Sequence, residues 1–191
     1  MITRPPGLPY LTVVAAAVAV ILLWASYPFW YFEMILFAIP VGGLLAAYWA
    51  IRMALAARKV DLTENLGRWL LPAFIAGGVL LALITDAPFW IRFTISQPSM
   101  EAYAKTVIED PKRKRPCQWI GLYHVCGGWQ YMDLDTGERI PGSAEFGVQD
   151  PFLYDNKGFV WLPSGQPDET ADDRYRHLIG HWYGSDGWDS W

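Results

Sequence analysis

Long uninterrupted apolar runs fill the first part of the chain, and short alternating ones fill the last. From Leu11 to Phe32 the sequence LTVVAAAVAVILLWASYPFWYF carries no charge over 22 residues, enough at about 1.5 Å per residue to cross a hydrocarbon layer about 30 Å thick. A second run, MILFAIPVGGLLAAYWAI from Met34 to Ile51, continues through MALAA after Arg52, whose long side chain can snorkel to the interface. The third, WLLPAFIAGGVLLALIT, covers Trp69 to Thr85. Pro40 and Pro72 fit inside such helices, where neighbours satisfy the freed carbonyls. A cleaved leader is disfavoured for the first run, because a signal core of about 7–15 residues ends in small residues and this one ends in aromatics. Three transmembrane helices are therefore expected.

Beyond them the period changes. Ser96 or Gln97 before Pro98 marks a helix start, and Met100, Tyr103, Ala104, Val107 and Ile108 then share one face opposite Glu101, Lys105 and Glu109. One short amphipathic helix ends before Pro111. The basic run Lys112 to Arg115 reads as a solvated loop. From Gln118 onward, segments rich in Trp, Tyr, Ile and Val alternate with turn residues: WIGLYHV, WQYMDL, then FLY and FVWL around DNKG, a hairpin connection whose Gly158 can take positive φ. RYRHLIGHWYG fits a strand, a bend at Gly180 and a strand. The expected fold is α+β: three transmembrane helices over residues 1–92, then a short amphipathic helix and a small antiparallel β module over 93–191.

Charge sharpens this division. Up to Arg92 there are six basic and four acidic residues, and beyond it nine and fifteen, so the two parts carry +2 and −6 of the net −4. An acidic balance of this size is not the electrostatic footprint of phosphate binding, which is driven by clustered Lys/Arg, and one four-residue basic run does not reverse it, so nucleic acid is not an expected partner. Arg52, Arg58, Lys59 and Arg68 crowd the loop between the second and third spans, with Arg4 on the same side, while the Tyr27 to Glu33 connection has no basic residue. The amino terminus is then cytoplasmic and the carboxyl-terminal module extracytoplasmic. Tyr27, Trp30, Tyr31, Phe89 and Trp90 fall where an outer aromatic belt would lie. Glu33 and Asp86 sit at span ends, as interface residues do, and no ionisable group suggests a transport path. Ala38, Gly42, Ala46 and Ala50 recur every four residues on the second span, and Ala73 and Gly77 repeat the device on the third, a small-residue seam suited to close helix packing.

Four stretches, RFTISQPSMEAYA, WIGLYHV, FLYDNKGFVWLPSGQP and DDRYRHLIGHWY, together resemble a family of small actinobacterial three-span membrane proteins with an extracytoplasmic β module. The shared features are an Arg-Phe-x-x-Ser-x-Pro entry, an Ile-Gly-Leu-Tyr strand, a Gly-Phe-x-x-x-Pro strand and a closing Leu-Gly-x-x-Trp-Tyr strand, over about residues 70 to 184. Ile179 stands where the closing pattern has Gly, and the cysteine pair lies outside the pattern. The resemblance implies a membrane location and no activity, cofactor or catalytic residue.

Candidate chemistry is sparse. Cys117 and Cys126 would face an oxidising space. If QWIGLYHV is one extended strand turning at Gly127–Gly128, their Cα atoms are about 25–30 Å apart and two free thiols follow; only a hairpin turning at Gly121–Leu122 would bring them opposite. The extended strand is the preferred reading. Asp133, Asp135 and Gly137 start like a calcium loop, but Gly137 and Ala144 occupy positions that need oxygen ligands, so an ordinary turn is expected. Ser143 lacks the Gly-x-Ser-x-Gly frame of a nucleophile elbow. Asp168, Glu169, Asp172 and Asp173 read as a solvated run. His177 and His181 have ligand-like spacing but no intervening base, and a third ligand would have to come from Asp172, Asp173 or His124. No cofactor is expected. The leading expectation is a multi-pass inner-membrane protein displaying an extracytoplasmic interaction module, with membrane lipid and another membrane or envelope protein as partners. The alternatives are a metal-dependent enzyme or metal-handling accessory using His177 and His181, and a structural subunit of a larger membrane complex.

Overall fold

A computed structural model describes residues 5–58, 65–133, 136–149, 157–170 and 173–187. Among these residues four helices precede six strands: α1 (Leu8–Trp24), α2 (Phe32–Ala57), α3 (Leu66–Ile84), α4 (Ala87–Glu109), β1 (Gln118–Ile120), β2 (Tyr123–Trp129), β3 (Ala144–Val148), β4 (Lys157–Trp161), β5 (Arg174–His177) and β6 (Trp182–Asp186). The fold is α+β, as its periodicities predict. Two compact units result, one of residues 1–26 and 30–88, the other of residues 27–29 and 89–191.

In the first unit, α2 and α3 are long and apolar enough to cross a membrane, with 26 and 19 residues. The expectation of three such helices is corrected to two. α1 has only 17 residues, about 25 Å at about 1.5 Å each, because it stops at Trp24 rather than running to Phe32. Ser26 ends it, its hydroxyl and amide both bonding Leu23 O, and Pro28 disfavours helical backbone at Tyr27. Tyr10 Oη donates to Leu45 O at 3.0 Å and Trp49 Nε1 to Trp69 O at 2.7 Å, tying α1 to α2 and α2 to α3. Trp24 and Phe37 meet edge to face, their centroids 5.7 Å apart.

The α3–α4 joint is Asp86, at φ 50°. One residue in the left-handed region ends α3, and Pro88 then suits the first turn of α4. α4 runs 23 residues without a break, so the short amphipathic helix expected to start at Pro98 is corrected to a continuous one. Pro98 lies inside it on an exposed face, where water can satisfy the carbonyl that the missing N–H leaves free. Phe89, Phe93, Ser96, Met100, Tyr103 and Val107 are buried at alternating steps of four and three, the stripe that one helix face presents. Arg115, the last residue of the basic run, is not a free loop residue: its guanidinium donates to Thr106 O and Asp110 O and closes the carbonyl end of α4.

The six strands form one antiparallel sheet in the order β1-β2-β3-β4-β6-β5. Phe146, Phe159 and Trp182 share the face that meets α4, with Phe93 against Phe159 at 5.7 Å and Tyr103 against Phe146 at 5.3 Å. On the opposite face Val160 and Tyr183 join Tyr131 and Leu162 in a second cluster, against which Tyr175 and Ile140 pack. Tyr27 and Phe89 are core residues here and not a membrane belt. Gly158 is also a strand residue, paired with Gly147 and Ser185 and not at positive φ. A Cβ there would come within 2.7 Å of Phe146 O, so the close strand approach explains the glycine. The FLY segment expected before it lies outside the described residues. The bend at Gly180, φ 58°, between β5 and β6 agrees with the sequence.

Candidate functional site

The cysteines give the clearest correction. Cys117 and Cys126 form a disulfide, with Cα atoms 4.0 Å apart, because β1 and β2 are a hairpin and not one extended strand. Ile120 pairs with Tyr123, Trp119 with His124 and Gln118 with Val125, so the next facing pair is the cysteines. Gly121 at φ 60° takes the first turn position, the requirement of a two-residue turn with positive φ only there. Alternation along an antiparallel ladder makes the cysteines a non-hydrogen-bonded pair, in which Cα atoms approach most closely. Gly127, read as the turn, instead sits in a bulge at φ 69°, where Cys126 to Trp129 on β2 opposes Gly147 to Glu145 on β3.

The hairpin tip is held by α4. Leu122 N donates to Ser96 Oγ at 2.9 Å, and Arg92 donates from Nε and Nη2 to Leu122 O at 3.1 and 2.6 Å. The Arg92 guanidinium also lies over the rings of Tyr27 and Tyr123, 4.5 and 4.3 Å from their centroids. The Arg-Phe-x-x-Ser entry and the Ile-Gly-Leu-Tyr strand are thus two halves of one clasp.

His177 and His181 part company. His177 Nε2 lies 3.0 Å from Gly180 O and its ring packs on Tyr183, whereas the His181 ring packs on Trp161. Among the described residues no group of three or more His, Cys, Asp or Glu side chains is placed to hold a metal ion. Asp172, one proposed third ligand, lies outside them, as does Asp135. Asp133 closes a turn, accepting from Thr136 N and Oγ1 through its carboxylate and from Gly137 N through its carbonyl.

The sequence reading missed Glu145. Its side chain is 7 % exposed, lies on the face opposite α4 and accepts from Trp129 Nε1 at 2.9 Å. Burial pushes its pKa up to about 7, with the Trp129 hydrogen bond opposing and the Asp173 charge adding to the rise. Tyr175 is pushed up by burial and then by the Glu145 charge, and Tyr131 by burial, with the Asp168 N–H at 3.0 Å opposing. A carboxyl titrating near neutrality is suited to proton transfer. Ser143, earlier on the same strand connection, has its hydroxyl engaged, donating to Ile140 O and accepting from Tyr131 N. The sequence signal of Glu145 was ambiguous: in AEFGV an acid and a glycine alternate with apolar residues, the pattern of a solvated face.

In the first unit, Ala38, Gly42, Ala46 and Ala73 line an apolar cavity of about 340 Å³ between α1, α2 and α3, while Ala50 and Gly77 are not in its wall. A Cβ added at Gly42 or Gly77 would meet nothing within 4 Å. No known protein family, no curated protein and no solved structure matches the chain.

Proposed function

We propose that this chain is a multi-pass membrane protein whose function is to hold a small interaction module at the extracytoplasmic surface. One observation carries the reading. Only 6 % and 11 % of the most apolar stretches of α2 and α3 is buried within the chain, and large side chains such as Leu44 and Phe74 stand 73 % and 69 % exposed. A core helix of a water-soluble protein buries such a surface, and an apolar surface of this extent calls for lipid.

The side on which the module lies follows from one loop. With Arg52, Arg58, Lys59 and Arg68 on the cytoplasmic side, α3 delivers the module outside whether or not the shorter α1 also crosses. The Cys117–Cys126 bridge supports the same side, since disulfides persist in oxidising compartments. A binding role rather than catalysis is favoured by the module's construction: its polar side chains near Glu145 are engaged in holding the fold. The partner is a membrane or envelope protein.

Reporter fusions test the plan. A reporter after Trp191 is expected to be active outside, and one inserted at Asp61 inside. A cytoplasmic signal from the carboxyl terminus would overturn the display of the module, and full release of the protein from membranes by alkaline extraction would overturn the membrane location.

A further inference from the structure

The cavity between α1, α2 and α3 is long and apolar. Tyr10 to Ile21 of α1, Ala38 to Trp49 of α2 and Pro72 to Leu83 of α3 bound it, three matching stretches each about 16 Å long at about 1.5 Å per residue. Its volume of about 340 Å³ is more than twice that of the ~150 Å³ apolar cavity in another protein that stays dry and takes up benzene. Among the described residues, the side-chain N–H and O–H groups in the wall are Trp49 Nε1 and Tyr10 Oη, and both already donate to backbone carbonyls. Water would find nothing to bond. The wall is hollowed by its small residues: at Gly42 a Cβ would meet nothing within 4 Å, so this glycine leaves room rather than drawing two backbones together.

Dimensions select the occupant. A helix from a second copy, about 10–12 Å across, does not fit between helices that single side chains already bridge, Tyr10 Oη reaching Leu45 O at 3.0 Å and Trp49 Nε1 reaching Trp69 O at 2.7 Å. Compact apolar solutes would leave most of the length unfilled, and unfilled wall forfeits dispersion contacts. A flexible hydrocarbon chain meets both limits. Resting on the reading that these helices stand in a bilayer, we propose that the cavity is a binding site for one acyl chain of a membrane phospholipid, inserted lengthwise among α1, α2 and α3. The bound chain would act as part of the packing of the unit.

The test uses the full chain in phosphatidylcholine vesicles containing phosphatidylcholine with a photoreactive diazirine on one acyl chain, followed by mapping of the modified residues. Labelling is expected at the inward positions Val14, Ala38 and Ala76 as well as at the outward positions Ile39 and Leu44. In the Gly42→Leu, Ala73→Leu double variant, inward labelling should fall about tenfold while outward labelling stays, because the new side chains occupy the space and overpacking it further is costly. Retained outward labelling and an intact Cys117–Cys126 bridge report that the variant has folded; if it has not, the milder Gly42→Ala, Ala73→Val pair decides by the same comparison. Outward labelling without inward labelling in the parent, or inward labelling unchanged in the folded variant, overturns the acyl-chain site and leaves the membrane reading standing. Absence of label from all of α1, α2 and α3 overturns the membrane reading itself and the site with it.

Discussion

Burial of one carboxyl beside a tryptophan N–H gives the module a built-in dependence on pH. Glu145 titrates near about 7 when folded against 4.5 for the free group, so between those values the folded state holds a proton that the unfolded state has released. Stability from this group is complete below about pH 4.5 and is lost as the pH rises towards about 7. A Gln at this position keeps an acceptor for Trp129 Nε1 and carries no charge. Glu145→Gln is therefore expected to match the parent near pH 4.5 and to exceed it by up to roughly 3 kcal/mol at pH 8; thermal unfolding followed across that range checks it, and parallel pH profiles would refute it. Lys157 poses the opposite case. It is 3 % exposed and bonds Asp186 at 3.2 Å, the two facing each other across β4 and β6. Asp186→Asn removes a carboxylate that faces this buried cation and is expected to cost about 3 kcal/mol, whereas Lys157→Met, which removes the charge and keeps the stem, should cost much less. Equal losses in denaturant titrations would show that the pair does not act this way. Neither residue was legible beforehand, because burial on both faces of a sheet depends on what packs over it, and alternation along a strand cannot report that.

At the scale of elements the legible parts were those with a strong local signal. The second and third apolar runs, the bend at Gly180 and the buried stripe Met100, Tyr103 and Val107 all came out where period and turn chemistry put them. Boundaries failed where a proline or glycine admitted two meanings. Pro98 reads as a helix start in sequence and is an exposed interior residue of α4, while Gly121 and Gly127 exchange their expected roles of strand interior and turn. The turn at Gly121–Leu122 is the one that α4 holds, since Arg92 and Ser96 grip the backbone of Leu122. Two predictions follow from that clasp. Gly121→Ala is expected to cost about 2 kcal/mol or more, from the positive φ and from a Cβ placed 2.7 Å from Ser96 Cα; hydrogen exchange at the β1 and β2 amides should quicken while that of α2 is unchanged. The Cys117→Ser, Cys126→Ser double variant removes the crosslink over a sequence separation of nine and is expected to lower stability by about 2–3 kcal/mol through the freed unfolded chain. Reductant should shift the parent's unfolding to the variant's and leave the variant's unmoved.

The division of the whole chain into an apolar unit and a mixed unit was plain from charge and periodicity, but its route was not. Tyr27, Pro28 and Phe29 lie between two apolar helices and read as membrane flank, yet they belong to the second unit. An aromatic residue at an interface and one in a core have the same sequence signal, and only the partner tells them apart. Here the partners are specific: the Tyr27 ring stands 6.0 Å from that of Tyr123 with the Arg92 guanidinium over both, and Pro28 packs where a Cβ on Gly184 would come within 2.5 Å of it. The module is consequently not a contiguous domain that can be cut free at Ala87. A fragment of residues 87–191 lacks Tyr27, which is 3 % exposed in the full chain, and so loses a buried aromatic ring together with a cation–π contact. Such losses run to about 3 kcal/mol or more. The fragment should therefore show faster hydrogen exchange at the β4 and β6 amides than the same strands in the full chain, and Tyr27→Ala in the full chain should reproduce most of that difference without change in α2 or α3. Equal protection of those strands in fragment, variant and parent would mean that the module's stability owes nothing to the excursion of residues 27–29.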